Sequence, residues 1–304
     1  MKSIHLYLKR SELFQQKASS IQLKIPLAIA VYFALWLIGF GIGRFFTYAI
    51  FNALALDTNT NETLAFKKLI VCGTQIALFF LWVKFVEKRP VNSIGFQAKN
   101  PFRHYITGFV LGFGTISIVT LILFATGMIT IQYESQASSY VILKLAIMAF
   151  GWMIQSASEE IAIRGWMIPR LEQQSSPLTA VFITAILFGI LHLFSAGVTA
   201  LSFLNLILSG VFFAGYAIKD GNIWGVCGLH FAWNFALGNI YGLPVSGFAD
   251  NGIRLFQTQQ IGSVVYTGGD FGPEGGLITT IVLLLAIAIL TIRRRKEWFI
   301  SNML

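Results

Sequence analysis

The chain is poor in charge. Asp, Glu, Lys and Arg make up 12% of its 304 residues, where a soluble domain carries about 25%. A soluble fold of this length could not hide the apolar surface that remains. Cysteine is scarce as well. Cys72 and Cys227 are the only two, they form no CxxC pair, and both lie in apolar stretches. A disulfide framework and a cysteine zinc site are therefore not expected, and both thiols read as small buried hydrophobes. The sequence has no HExxH, which removes the classical zincin arrangement. It also lacks an internal repeat, a low-complexity segment and a separate soluble domain. Acidic residues are outnumbered 13 to 22, giving a net charge of +9. No basic stripe or nucleic-acid motif accompanies this excess, so nucleic acid is not an expected partner.

What the chain does have is apolar length. Hydrophobic residues make up 56% of it and the mean hydropathy is +0.71. A bilayer core needs about 20 apolar residues as helix. Eight runs qualify: Ile25–Phe51, Leu69–Val86, Tyr105–Met128, Tyr140–Ile168, Leu178–Phe194, Thr199–Ile218, Ile223–Tyr241 and Leu277–Ile292. The expected fold is an all-α polytopic transmembrane bundle of about eight spans. Basic residues fall in alternate loops. Lys2, Lys9, Arg10, Lys17 and Lys24 precede the first run, Lys88, Arg89, Lys99 and Arg103 follow the second, Arg170 follows the fourth, Lys219 follows the sixth, and Arg293 to Lys296 follow the last. The other loops hold Asp57, Glu62, Glu134, Asp250, Asp270 and Glu274, with Lys67, Lys68 and Arg254 as exceptions. This alternation predicts both tails on the cytoplasmic side. The first run is too long for a signal-peptide core. Residues 2–24 could form an interfacial amphipathic helix. Gly39/Gly43 and Gly108/Gly112 have the spacing that lets helices approach closely, read here as packing within the bundle. Asn61-Glu62-Thr63 matches a glycosylation triplet, which such chains often carry by chance.

Ionisable groups inside an apolar span cost about 3 kcal/mol each on insertion scales, and they tend to face the bundle interior. Three stretches break the apolar rule. In Gln155-Ser156-Ala157-Ser158-Glu159-Glu160-Ile161-Ala162-Ile163-Arg164, Glu160 and Arg164 are one turn apart and can pair. Glu159 is rotated about 100° away and shares its face with Gln155 and Ser156. One glutamate is thus neutralised and one is left for chemistry, unless the helix frays here. Phe188-Gly189-Ile190-Leu191-His192 brings a histidine into an apolar run, and a lone histidine can equally be a hydrogen-bonded core residue. His230-Phe231-Ala232-Trp233-Asn234 puts an imidazole and a carboxamide on one face, where both can donate to one oxygen or simply glue two helices. Asn205 and Ser209 share a face and read as packing. At about 1.5 Å per residue, Glu159 lies roughly 16 Å, His192 about 22 Å, His230 about 11 Å and Asn234 about 16 Å from the basic ends of their helices. These depths agree closely enough for the three stretches to meet, provided the fourth helix runs on to about Arg170.

The order Glu159-Glu160…Arg164, Phe188…His192, His230…Asn234 on successive hydrophobic helices resembles the family of CAAX prenyl proteases and bacteriocin-processing membrane proteins, the CPBP or Abi group of intramembrane peptidases. The resemblance implies a catalytic core in the fourth to seventh helices, at 140–242. Residues 1–24 and 25–139 would then be a cytoplasmic tail and N-terminal membrane helices, 243–276 an external loop, and 277–304 the last helix and its basic tail. It implies that Glu159 activates water, that His192 holds the water or a metal, and that His230 and Asn234 stabilise the oxyanion. Glu160 and Arg164 would fix the helix and orient Glu159. If zinc takes part, His192, His230 and Glu159 are its ligands, while a metal-free glutamate mechanism fits the same residues. The implied partners are the bilayer and a peptide or membrane-protein substrate, with a bacterial inner membrane as the expected location. A non-catalytic bacteriocin-immunity or scaffold protein of the same fold, and a transporter, are the alternatives. Transporters often show two related halves, which this sequence does not.

Overall fold

A computed structural model describes residues 11–15, 21–57, 60–134, 140–249 and 252–301, with 61 and 293–301 described by backbone alone. The protein is an all-α polytopic bundle. Its long helices are α1 (Ile25–Ala53), α2 (Asn61–Leu81), α3 (Pro101–Ala125), α4 (Val141–Glu172), α5 (Pro177–Leu191), α6 (Ala200–Asp220), α7 (Trp224–Phe235) and α8 (Leu277–Ser301). They stand where the eight apolar runs predict helix. Five stretches, within α1, α2, α3, α4 and α6, are long and apolar enough to cross a membrane, while α5 and the apolar part of α8 are shorter. In α7 every residue from Gly225 to Asn234 is buried, so this helix faces protein rather than lipid. That is why it can carry a histidine and an asparagine.

Two strands were not expected. β1 (Ile129–Tyr133) and β2 (Phe256–Gln260) pair antiparallel, from Ile129 opposite Gln260 to Tyr133 opposite Phe256. They give the loop between α7 and α8 a fixed attachment to the end of α3. Loops that the charge alternation puts on one side are joined to one another. At one end the Ser11 hydroxyl donates to the Ile218 carbonyl, Ile223 N–H to the Gly95 carbonyl, and His104 pairs with Asp220 at 3.1 Å. The amphipathic helix expected over 2–24 falls largely outside the described residues, as do Lys2, Lys9, Arg10, Lys17 and Asp250 and the side chains of Arg293 to Lys296. Thr63 of the glycosylation triplet forms a reciprocal capping box with Thr60 at the start of α2.

Close helix approach comes from glycine. A Cβ on Gly108 would stand 1.7 Å from the Gly225 carbonyl oxygen, and one on Gly112 would stand 2.1 Å from that of Leu229. The backbones of α3 and α7 therefore touch. Gly39 and Gly43 play the same part between α1 and α2, where a Cβ would meet Gln75 and Val71 backbone at 2.8 and 2.6 Å. Both spacing motifs serve packing within the chain.

α4 is long and irregular. It passes through a π-helical stretch at Ile161–Met167 before resuming its α form to Glu172. Such a widening often marks a functional site, because one extra residue per turn re-aims the side chains around it. Glu159 thus lies about 20 Å from the end of α4, well inside the helix. That end is anchored by a buried carboxylate. Glu87 accepts from Arg89 Nε at 2.7 Å, from Arg170 Nε at 3.1 Å, and from the indole N–H groups of Trp166 and Trp82 at 2.9 and 3.2 Å. Two arginines that read in the sequence as loop charge are buried counter-ions instead.

Gly108→Ala is expected to lower the unfolding temperature in detergent micelles, because overpacking costs about 1–3 kcal/mol and here the obstacle is backbone. Gly114→Ala is the control, since a Cβ there meets nothing within 4 Å. Equal stability of the two variants would show that α3 and α7 are not in contact at Gly108.

Candidate active site

The adjacent acids of α4 have different surroundings. Glu160 is fully buried. Its Oε1 accepts from Arg164 Nη1 at 2.9 Å, one turn on, and from His230 Nδ1 of α7 at 2.7 Å. Arg164 is 1% exposed. It also donates to the Gly210 carbonyl of α6 at 3.4 Å, and lies 5.1 and 5.5 Å from the ring centres of Phe188 and Phe213. A buried ion pair is tolerable only when further hydrogen bonds and polarisable neighbours complete it. Four helices contribute such neighbours, while Glu160 Oε2 and Arg164 Nε make no hydrogen bond among the described residues.

Glu159 is only partly buried. Its Oε1 accepts from Gln155 Nε2 at 2.6 Å, one turn back in α4. Its Oε2 makes no hydrogen bond among the described residues and stands 3.9 Å from His230 Nε2. Gln155 is a bridge, for its Oε1 accepts from Asn234 Nδ2 at 3.0 Å. His230 therefore spans both carboxylates with its two ring nitrogens, and Asn234 joins the same network from one turn further along α7.

His192 caps the end of α5 and is half-buried. Its Nδ1 is 2.8 Å from the Phe188 carbonyl. A carbonyl can only accept, so Nδ1 carries the proton, and in the neutral ring Nε2 holds the lone pair. The ring packs on Phe188 at 4.8 Å between centres, and Phe188 reaches the His230 ring at 6.4 Å. Of the six residues picked out in the sequence, five form one connected network, and His192 borders it across the Phe188 ring.

Among the described residues no three His, Cys, Asp or Glu side chains converge so as to hold a metal ion. His192, His230 and Glu159 do not make a metal site in this arrangement, and His230 already commits Nδ1 to Glu160. Several neighbours escaped the sequence reading. Gln155 was visible only as a face-mate of Glu159. The Gly210 carbonyl and Phe213 gave no signal. Lys68 of α2 counted only as an exception among loop charges. It lies 3.4 Å from the Trp152 ring centre and within electrostatic range of Glu159.

A helical membrane bundle with a buried glutamate and histidine centre defines the class: a polytopic membrane protein with ionisable groups gathered between its helices. Residues 138–236 match the family model described as type II CAAX prenyl endopeptidase Rce1-like, which belongs to the CPBP or CAAX protease group. No curated protein and no solved structure matches the chain. At family level the match supports an intramembrane endopeptidase acting on a peptide or protein substrate.

Arg164→Ala strands the Glu160 charge and is expected to cost about 3–5 kcal/mol of stability. The double variant Glu160→Gln/Arg164→Met, which removes both charges, should recover much of that loss in the same denaturation measurement. An Arg164→Ala protein as stable as wild type would mean that this pair does not hold the charge.

Proposed function

We propose that the protein is an intramembrane endopeptidase that hydrolyses a peptide bond with water activated by Glu159. One observation carries this reading. Of two adjacent acids, the fully buried Glu160 holds Arg164 and His230 on one oxygen, while the partly buried Glu159 turns an unpartnered oxygen toward His230 Nε2 at 3.9 Å. At 3.9 Å the two atoms are too far apart for a direct hydrogen bond, and the proposed reading places the attacking water against Glu159 Oε2.

In the proposed step Glu159 Oε2 takes a proton from that water as its oxygen attacks the carbonyl carbon of the substrate. His192 Nε2, the lone-pair nitrogen, accepts a hydrogen bond from the O–H that stays on the attacking oxygen and so fixes its direction. The carbonyl oxygen becomes an oxyanion. One amide hydrogen of Asn234 is spent on Gln155, and the second is available to that oxyanion. His230 can donate from Nε2 to the same oxyanion when both its nitrogens are protonated. As the carbon–nitrogen bond breaks, the proton held by Glu159 passes to the leaving amine. Glu160 and Arg164 touch no reacting atom on this scheme and act by orienting His230. On the same reading residues 140–242 are the peptidase core, the remaining helices are its scaffold, and both tails lie on the cytoplasmic side of a bacterial inner membrane.

Glu159→Gln keeps the shape of the side chain but removes the base. Turnover is expected to fall by about 10²–10⁴-fold, the usual contribution of a general base. The measurement is a comparison of protein N-termini in cells expressing wild type or the variant at matched levels. Termini present only with wild type identify substrates. Identical sets of termini would sink the protease reading and favour a non-catalytic immunity or scaffold role.

Hydrolysis by the purified protein is expected to survive exhaustive dialysis against a chelator. Loss of activity that returns with about one zinc per chain would instead assign the water to a metal.

A further inference from the structure

We propose that Glu274, in the loop between α7 and α8, is a positioning residue that clamps the His192 segment and the His230–Asn234 helix to one another. The catalytic part of this inference rests on the proposed peptidase function, while the clamp itself does not.

Glu274 lies outside the segment that matches the family, and its carboxylate is fully used. Oε1 accepts from Trp233 Nε1 at 2.8 Å, and Oε2 accepts from the Ser246 N–H and, at 3.0 Å, from its hydroxyl. The backbone around it is fixed from α6 and α8. Asn205 Nδ2 donates to the carbonyls of Glu274 and Gly276 at 2.8 and 2.9 Å, and the Thr280 hydroxyl donates to Asn205 Oδ1 at 2.7 Å. Burial pushes the Glu274 carboxyl above its ordinary value, and the bonds from Ser246 and Trp233 and the nearness of His192 oppose that rise.

Trp233 is the link to the site. It is 2% exposed and sits between His230 and Asn234 in α7. Its ring packs on Phe213 at 6.1 Å, and Phe213 packs on the His230 ring at 5.2 Å. The other arm of the loop grips the turn that follows His192. Gly247 N–H donates to the Phe271 carbonyl at 3.0 Å. A Cβ on Gly247 would stand 2.5 Å from the Ala196 carbonyl oxygen, and one on Gly197 would stand 2.5 Å from Phe271 N. Ser195 N–H in turn donates to the His192 carbonyl at 3.0 Å. Among the described residues the His192 side chain makes no hydrogen bond to α7. Its place relative to His230 is set through Phe188 on one side and through this loop on the other.

The test uses full-length protein in lipid nanodiscs. Amide hydrogen exchange is compared among wild type, Glu274→Ala and Glu274→Gln, with no substrate present. Glu274→Ala is expected to speed exchange about tenfold or more over 193–198 and 244–248, as loss of a local cooperative contact does. Glu274→Gln, which keeps one acceptor oxygen, should fall between. Unchanged exchange in both segments refutes the clamp whether or not the protein is an enzyme. On a substrate found from the N-termini, Glu274→Ala should lower kcat about 10- to 100-fold with little change in KM, because a displaced group costs rate rather than binding. Trp233→Phe removes the same bond from the other side. The double variant should lose no more than the worse single variant, since the two residues act as one unit. Additive losses, or unchanged kcat alongside faster exchange, would leave Glu274 a purely structural tie. If Glu274→Ala does not fold, Glu274→Gln and Trp233→Phe carry the same comparisons.

Discussion

The Glu160 carboxylate is the constraint on which the rest of the site depends. A charge in the bilayer interior is costly, and this one is enclosed completely. It persists because Arg164 meets it within the same helix and His230 meets it from α7. Each of those partners imposes a further requirement. Arg164 needs somewhere to put its remaining donors and its flat faces. The Gly210 carbonyl and the rings of Phe188 and Phe213 provide that place, which brings α5 and α6 against α4. His230, once held at Nδ1, has only one way to direct Nε2, and that is toward Glu159. The position of the Glu159 carboxylate is thus inherited from Glu160, whose Oε1 holds both Arg164 and His230.

Two features elsewhere in the bundle make this geometry possible. The first is the contact of α3 and α7 backbones at Gly108 and Gly112. Side chains there would push α7 away from its support, and a shift of about 1 Å is enough to separate a catalytic pair. The second is the Glu87 cluster, which pins the far end of α4 through Trp166 and Arg170. The π-helical stretch Ile161–Met167 follows Glu160 directly and itself carries Trp166 of that anchor. A helix held firmly at both ends can keep such an irregular turn, since its poorer geometry is balanced by burial of all seven of its residues.

What could be read from the sequence was what is local along the chain. A bilayer-length apolar run is a one-dimensional property, so the helices fall where hydropathy puts them. The Glu160–Arg164 pair and the shared face of Gln155 and Glu159 follow from helix periodicity alone. Contacts made by folding were not readable in the same way. His230 meets Glu160 across 70 positions, and Asn234 meets Gln155 across 79. The motifs said that these residues belong together but not which nitrogen faces which oxygen. Arg89 and Arg170 misled for the same reason, since their partner Glu87 gives no sign in the sequence of being buried. The strand pair β1–β2 was missed because Ile129–Tyr133 is continuous with an apolar helix, and its partner lies far away in a Gly-rich loop.

The asymmetry between Glu159 and Glu160 also explains why two acids stand side by side instead of one turn apart. Spaced by four residues, both would share one face and compete for Arg164 and His230, and the like charges would oppose each other's ionisation. Adjacent in a helix, they diverge by about 100°, so one can point into the protein where its counter-ions are and the other toward the less buried side, where Gln155 holds a single oxygen. A single imidazole can then reach both, because its two nitrogens lie on opposite sides of a rigid ring. Neither acid alone would suffice. Without Glu160 the imidazole has no fixed direction, and without Glu159 the bound pair is only an internal tie between helices. The proposed division of labour asks that the orienting acid carry more hydrogen bonds, and Glu160 accepts two where Glu159 accepts one.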